Sequence, residues 1–346
     1  MAVPMRLAPF TGVYGLSFLF ALFGTAVAWI ALRRRRRELV WLALVVVLAV
    51  LPPLPSPKAP TRVAATVQPN IEERDNWTRP EVDALHQRLE IMSLQAGLAK
   101  PRPDVLLWPE MPAPMYYFQD TKLRERVNTT ARTLGSTLVI GTVGQQDQYR
   151  IRNSAVQISP GGELKGRYDK IFLVPFGEFI PFPFQGLVEK ITNEIGDYEP
   201  GDKVSVFDLG AQKLGPFICY ESAIPHLVRQ FPALGATVLV NLTNDGYFGR
   251  TAAREQHVSL VRMRAAENRR WVVRSTNDGL TASIDPAGRV LQTIKPLEET
   301  SGRLRFNYVS ETTFYSRHGD VFAWTCLALA IGFLIWSQAP SFDRGS

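Results

Sequence analysis

From Gly12 to Leu32 the chain carries no charged residue, and a second uncharged apolar run, Val321 to Trp336, lies near its other end. At about 1.5 Å per residue, the first run is long enough as a helix to cross roughly 30 Å of hydrocarbon. A cleaved signal peptide is the competing reading, but the run is long and the five arginines Arg33 to Arg37 follow it instead of preceding it. Leu39 to Leu51 is also apolar but shorter, and it runs into Pro52-Pro53, so a second span over about 39–54 needs Leu54 and its neighbours to complete it. The expected organisation is a membrane segment and proline-rich linker over 1–60, a globular domain over 61–319, and a last helix with a short tail over 320–346.

The arginine run sets the topology. The formal charge is +7, and removing those five residues leaves +2, so the basic balance is mainly a feature of one loop. By the positive-inside rule that loop is cytoplasmic, which places the domain from about Pro55 to Asp320 on the extracytoplasmic side of a multi-pass membrane protein. The run is flanked by apolar segments and lacks interleaved aromatic or polar readout residues, which argues against nucleic acid and for anionic lipid at the inner leaflet.

Between the spans, short runs rich in Val, Ile, Leu and Thr alternate with helical periodicity. Strands are expected at Arg62–Gln68, Val105–Trp108, Ser136–Thr142, Ser154–Ser159, Val204–Asp208, Leu214–Cys219, Thr237–Leu242, Val272–Thr276 and Thr281–Ile284. Helices are expected at Arg79 to Lys100, which ends before Pro101, and at Ala252 to Arg270. The alternation predicts an α/β domain, a sheet covered by helices.

The chain has two cysteines, and Cys326 lies inside the last apolar run, so Cys219 has no plausible disulfide partner. A lone thiol on an extracytoplasmic domain invites oxidation. It is either a buried packing residue or a nucleophile. Its company favours the second. Asp104-Val-Leu-Leu-Trp-Pro-Glu110 ends an apolar run on Glu110, and Lys170 and Glu178 bracket another, Lys170-Ile-Phe-Leu-Val-Pro-Phe-Gly-Glu178. Cys219 ends a third and is followed by Tyr220 and Glu221. Side chains at the carboxyl ends of strands converge on one crevice in α/β folds, so these residues can meet. A thiol, a carboxylate and an ammonium meeting there suit nucleophilic chemistry, in which a carboxylate takes the thiol proton and a cation faces the developing negative charge. Lys170 needs carboxylates nearby to stay charged. His257, on a helix with Arg254 and Arg264, is read as a structural hydrogen-bonder, since the set already contains a base. The four histidines and two cysteines show no metal-ligand spacing, and no cofactor is implied.

Trp108-Pro109-Glu110, Lys170 through Glu178 and Cys219-Tyr220-Glu221 resemble the nitrilase superfamily of carbon-nitrogen hydrolases, and within it the membrane branch of apolipoprotein N-acyltransferases. Val67-Gln68-Pro69-Asn70, Arg152-Asn153-Ser154, Asn244-Asp245 with Phe248-Gly249, Gln256-His257 and Arg274 to Thr281 extend the likeness from about Ala64 to Asp320. The resemblance implies a four-layer αββα sandwich flanked by transmembrane helices, and Glu110, Lys170 and Cys219 as the catalytic set. It places Glu178 and Glu221 in the surroundings of the site. Tyr220 would shape the acyl pocket or fill core, and Asn153 is a weaker supporting candidate. The implied reaction moves an acyl chain from a phospholipid donor, through a Cys219 thioester, to the α-amino group of a diacylglyceryl apolipoprotein acceptor at a bacterial inner membrane.

Two features depart from that pattern. About sixty residues precede the domain where the family carries a much larger membrane region, which leaves open a compact enzyme, a fragment, or a separate membrane subunit. Tyr247 stands where the pattern commonly has Trp. A membrane-anchored amidase or nitrilase would use the same three residues but release its product to water, whereas a non-catalytic scaffold would have no need of all three.

Overall fold

The computed structural model describes residues 4–33, 52–56, 58–74, 76–147, 150–182 and 198–338. Most of the expected second span, 39–54, and Arg34 to Arg37 lie outside the described residues. The chain divides into two compact units, one made of both chain ends, up to Leu54 and from Thr313, and the other of Pro55–Thr312.

The larger unit contains two sheets. In the first, β1 (Arg62–Gln68), β2 (Val105–Trp108), β3 (Thr137–Asp147), β4 (Arg150–Ile158) and β5 (Leu164–Asp169) are joined by β12 (Thr300–Phe306) in the order β12-β1-β2-β3-β4-β5. The second runs β11-β10-β9-β8-β7-β6, from β6 (Phe207–Asp208), β7 (Lys213–Ile218), β8 (Val238–Thr243), β9 (Val272–Thr276), β10 (Thr281–Ile284) and β11 (Val290–Ile294). Each sheet has three adjacent parallel strands, β1-β2-β3 and β7-β8-β9, continued by antiparallel neighbours. Parallel neighbours need crossovers, and helices provide three of the four, α2 (Arg79–Gly97), α3 (Thr121–Leu134) and α4 (Ala253–Asn268), while β7 and β8 are linked through the short helical turns Pro225–Val228 and Gln230–Ala233.

Side-chain alternation decides the layering. Along β2, Val105 and Leu107 enter the core between the sheets with Ile218, Val240 and Leu242, while Leu106 and Trp108 face outward onto Leu89, Val127 and Ala131 of α2 and α3. The same split holds for Val139 against Leu138 and Ile140 on β3. Val261 and Ala265 of α4 pack on the second sheet, completing the four layers. Burying each such aliphatic side chain contributes roughly 1.5–3 kcal/mol, which makes the inter-sheet core the main source of rigidity beneath the strand ends.

Several boundaries differ from those expected. The strand written to Cys219 stops at Ile218, and the run at Val204–Asp208 forms a strand only over Phe207–Asp208. Strands β5, β11 and β12 and helix α3 were not anticipated.

The smaller unit contains α1 (Ala8–Arg33), broken at Gly12 where φ is +64°, and α5 (Val321–Gln338). Ala8–Leu32 and Val321–Gln338 are both long and apolar enough to cross a membrane. Phe18 meets Phe322 edge-on, with ring centroids 5.6 Å apart.

Candidate active site

Cys219 stands where β7 turns into a single 3-10 helical stretch, Cys219–Ala223, and its φ is +48°. A left-handed conformation at a residue bearing a Cβ costs about 1–3 kcal/mol and persists only where its surroundings enforce it. Glu221 provides much of that enforcement. Its Oε2 accepts from Ile218 N at 2.7 Å, and its Oε1 accepts from Tyr168 Oη at 2.7 Å, Ile171 N at 2.7 Å and Phe172 N at 3.3 Å. One buried carboxylate therefore ties the turn carrying Cys219 to the segment carrying Lys170. Burial pushes the Glu221 carboxyl up to about 7, and the donors from Ile218, Tyr168 and Ile171 hold it from rising further.

Lys170 follows β5, and its side chain is 1% exposed. Its main chain is fixed on both sides, with Lys170 N donating to Asn153 O and Gly201 N donating to Lys170 O, both at 2.8 Å. The ammonium donates to Glu178 Oε1 at 2.8 Å and Glu110 Oε1 at 3.3 Å. Asn153 Nδ2 bridges the same two carboxylates at 2.6 Å (Glu110) and 3.0 Å (Glu178). Glu110 Oε2 accepts from Asn244 N at 2.9 Å, and Glu178 Oε2 from Val174 N at 2.8 Å. Burial opposes a charge on Lys170, but Glu110, Cys219 and Glu178 together outweigh it and raise its pKa. Burial and the Glu110 carboxylate push the Cys219 thiol up to about 12, against the pull of Lys170. Cys219 is therefore a thiol at rest beside a fixed cation, and nucleophilic attack by its sulfur would need a base.

The position of Glu110 depends on a close backbone approach. A Cβ at Gly141 on β3 would run into the Pro109 carbonyl and stand 3.1 Å from Glu110 Cα. The Gly141→Ala variant is expected to displace Pro109-Glu110, destabilise the fold by about 1–3 kcal/mol and lower turnover more than substrate binding, checked by thermal unfolding with steady-state kinetics.

Two cavities of about 390 Å³ each meet at Glu110 and Glu178. One is walled by Cys219, Lys170, Val174, Tyr220, Phe248 and Leu260, and the other by Glu73, Trp77, Met111, Tyr116 and Tyr198. Tyr247 borders both. Tyr220 is 37% exposed, so it shapes a cavity wall instead of filling core.

The five acidic, basic and thiol positions singled out in the sequence, Glu110, Lys170, Glu178, Cys219 and Glu221, thus lie together, with Asn153 among them. A second set was not connected by sequence reasoning. His257 Nε2–H donates to the Cys219 carbonyl at 3.1 Å, and Nδ1 lies 2.8 Å from Asp245 Oδ1. Arg274 Nη2 lies 2.8 and 2.7 Å from the two Asp245 oxygens. The only local signal was the pair of short motifs Asn244-Asp245 and Gln256-His257. Burial disfavours the Asp245 carboxylate, but Arg274 and His257 prevail and hold its pKa down at about 2. A depressed carboxylate stabilises the fold above its unfolded pKa, and that contribution fades as pH falls through the folded value. Acid titration followed by circular dichroism is expected to show about 2 kcal/mol of stability lost between pH 4 and 2, and Asp245→Asn is expected to remove that component. Among the described residues, no group of three or more His, Cys, Asp and Glu side chains is arranged to hold a metal ion.

Two facing sheets covered by helices, with a cysteine, a lysine and a glutamate at one rim, define a class. The carbon-nitrogen hydrolase family model matches residues 63–312, and the chain belongs to that family, in the branch of the apolipoprotein N-acyltransferases. The apolipoprotein N-acyltransferase of Geobacter metallireducens is 36% identical, over 94% of this chain and 65% of that protein. The Allorhizobium ampelinum protein of the same name is 31% identical, over 99% of this chain and 68% of that one. The chain thus spans about two thirds of the length of these two relatives. An amidase of the nitrilase superfamily from Nesterenkonia AN1 shares the fold, with a TM-score of 0.56 at 19% identity over 78% of this chain and 98% of that one.

Proposed function

We propose that this chain is an acyltransferase that moves an acyl chain from a phospholipid to the α-amino group of an S-diacylglyceryl-cysteine at the start of an apolipoprotein, through a thioester on Cys219. The observation that carries this reading is the apolar-walled cavity that Cys219 shares with Lys170 and Glu110. Val174, Phe248 and Leu260 offer a surface for a hydrocarbon chain where a small-amide hydrolase needs none. The name that the relatives share supports N-acylation of an apolipoprotein.

In this mechanism Cys219 Sγ attacks the ester carbonyl while Glu110 takes the thiol proton. Lys170 Nζ and the Tyr220 amide stabilise the oxyanion. Collapse breaks the ester bond, and Glu110 returns the proton to the departing lysophospholipid oxygen. The acceptor amine then attacks the thioester, Glu110 takes a proton from it, and the thiol is restored with an amide formed. Water must be kept from the thioester, and the apolar wall serves that purpose.

Helices α1 and α5 are two of the membrane spans of this reading, and the expected span over 39–54, most of it outside the described residues, carries the chain back outward between the arginine loop and the catalytic unit. The Arg33–Arg37 loop is cytoplasmic and the catalytic unit lies on the extracytoplasmic side of a bacterial inner membrane. A separate membrane subunit would be an additional partner. The test is mass spectrometry of a synthetic diacylglyceryl-cysteine lipopeptide incubated with phospholipid and the full-length protein. A gain of one acyl chain that disappears in Cys219→Ala is the expected result. Free fatty acid with no acylated peptide would favour hydrolysis instead.

A further inference from the structure

We propose that His257 is a positioning residue for the oxyanion hole: by holding the Cys219 carbonyl it aims the Tyr220 amide at the reacting carbonyl oxygen. The inference rests on the acyl-transfer reading only in that Cys219 must be acylated.

The Cys219 carbonyl and the Tyr220 N–H belong to one planar trans peptide, so they point in opposite directions and cannot be oriented separately. Cys219 has φ +48°, an uncommon conformation that leaves this peptide dependent on outside contacts for its orientation. His257 supplies one, with Nε2 3.1 Å from the carbonyl oxygen. The ring is itself immobilised. It is 4% exposed, its Nδ1 lies 2.8 Å from Asp245 Oδ1, and Phe248 packs against it edge-on at 5.5 Å. Asp245 is held at both oxygens by the fully buried Arg274, which also donates to Asn241 Oδ1. Three elements, the end of β8, helix α4 and strand β9, thus fix the one ring that holds the carbonyl oxygen of the nucleophile's own residue. A donor on that carbonyl also polarises the peptide, which strengthens its N–H as a hydrogen-bond donor. Both ring nitrogens are engaged, so the ring does not serve as the base for the thiol, a role left to Glu110.

The test separates the oxyanion hole from the nucleophile. Alkylation of Cys219 by iodoacetamide, read by peptide mass mapping to exclude Cys326, develops no oxyanion, whereas acylation by phospholipid or by a p-nitrophenyl ester does. His257→Leu in the full-length protein is expected to slow acylation by roughly 10²-fold, the usual cost of one lost oxyanion donor, with KM unchanged and alkylation within about twofold of wild type. His257→Gln, which retains a donor, recovers at least tenfold of the loss. Should the leucine variant fail to fold, His257→Asn keeps a polar group against Asp245 but is too short to reach the carbonyl, and it should show the same selective loss. Acylation equal to wild type, or acylation and alkylation falling together, would overturn the proposal. A wild-type protein acylated by the ester but not by phospholipid would sink the lipid reading and leave the His257 comparison intact on the ester.

Discussion

Lys170→Met is expected to abolish the proposed acyl transfer and to lower the melting temperature in the same variant. The ammonium is the only cation bonded to both Glu110 and Glu178 among the described residues, at 3.3 and 2.8 Å, and its side chain is 1% exposed. Removing it leaves two nearly buried carboxylates joined only through Asn153. Breaking a buried pair from one side costs about 3–5 kcal/mol, because the remaining charge keeps its desolvation penalty. Loss of an oxyanion donor lowers kcat by a further 10² to 10³, roughly. The two effects can be separated. Adding Glu178→Gln to Lys170→Met is expected to restore much of the thermal stability while activity stays lost, measured by thermal unfolding beside an acyl-transfer assay.

Glu110→Gln is expected to lower kcat by about 10² to 10⁴, the usual contribution of a general base. The amide oxygen can still accept from Asn244 N, which donates to Glu110 Oε2 at 2.9 Å, but its NH2 then faces the donors Lys170 Nζ and Asn153 Nδ2, so some loss of stability is expected and thermal unfolding is measured alongside. Its pH profile carries the stronger prediction. Burial still pushes the Cys219 thiol up in this variant, although the part of the rise due to the Glu110 carboxylate is lost, so only a small fraction of thiolate forms at neutral pH without the base. Residual activity should therefore climb about tenfold per pH unit between pH 7 and 9, where the wild-type rate lacks that dependence. A flat residual profile would mean that Glu110 does not deprotonate Cys219.

The site was legible in the sequence to the extent that each chemical residue follows an apolar run. Strands β1, β2, β9 and β10 have the boundaries expected of them, because their inward and outward faces are both apolar or neatly bounded. Edge strands carry less signal. β11 alternates between half-buried and exposed positions, and β12 carries Arg303 and Arg305, with Arg303 reaching the Ala96 and Ala99 carbonyls at 2.8 and 2.7 Å. β5 reads Leu-Lys-Gly-Arg-Tyr-Asp and buries only Tyr168, so its strand character comes from pairing with β4. Helix α3 buries Leu123, Val127, Ala131 and Leu134 at helical spacing, but threonines and Asn128, which are poor helix formers, obscure the stripe. Its ends are set by Asp120, which accepts from Lys122 N and Leu123 N, and by Gly135 at φ +57°. The turn at Cys219 was invisible for another reason. Its positive φ is imposed by Glu221 and His257 from outside the strand, and no local propensity records that.

In the proposed reaction Cys219 carries the acyl chain. Intact-protein mass spectrometry after incubation with phospholipid alone, without an acceptor, tests it most directly. The expected result is one added acyl mass per chain, mapped to Cys219, removed by hydroxylamine and absent from Cys219→Ala. An unmodified Cys219 that still reacts with iodoacetamide, in a folded protein given phospholipid, would contradict it.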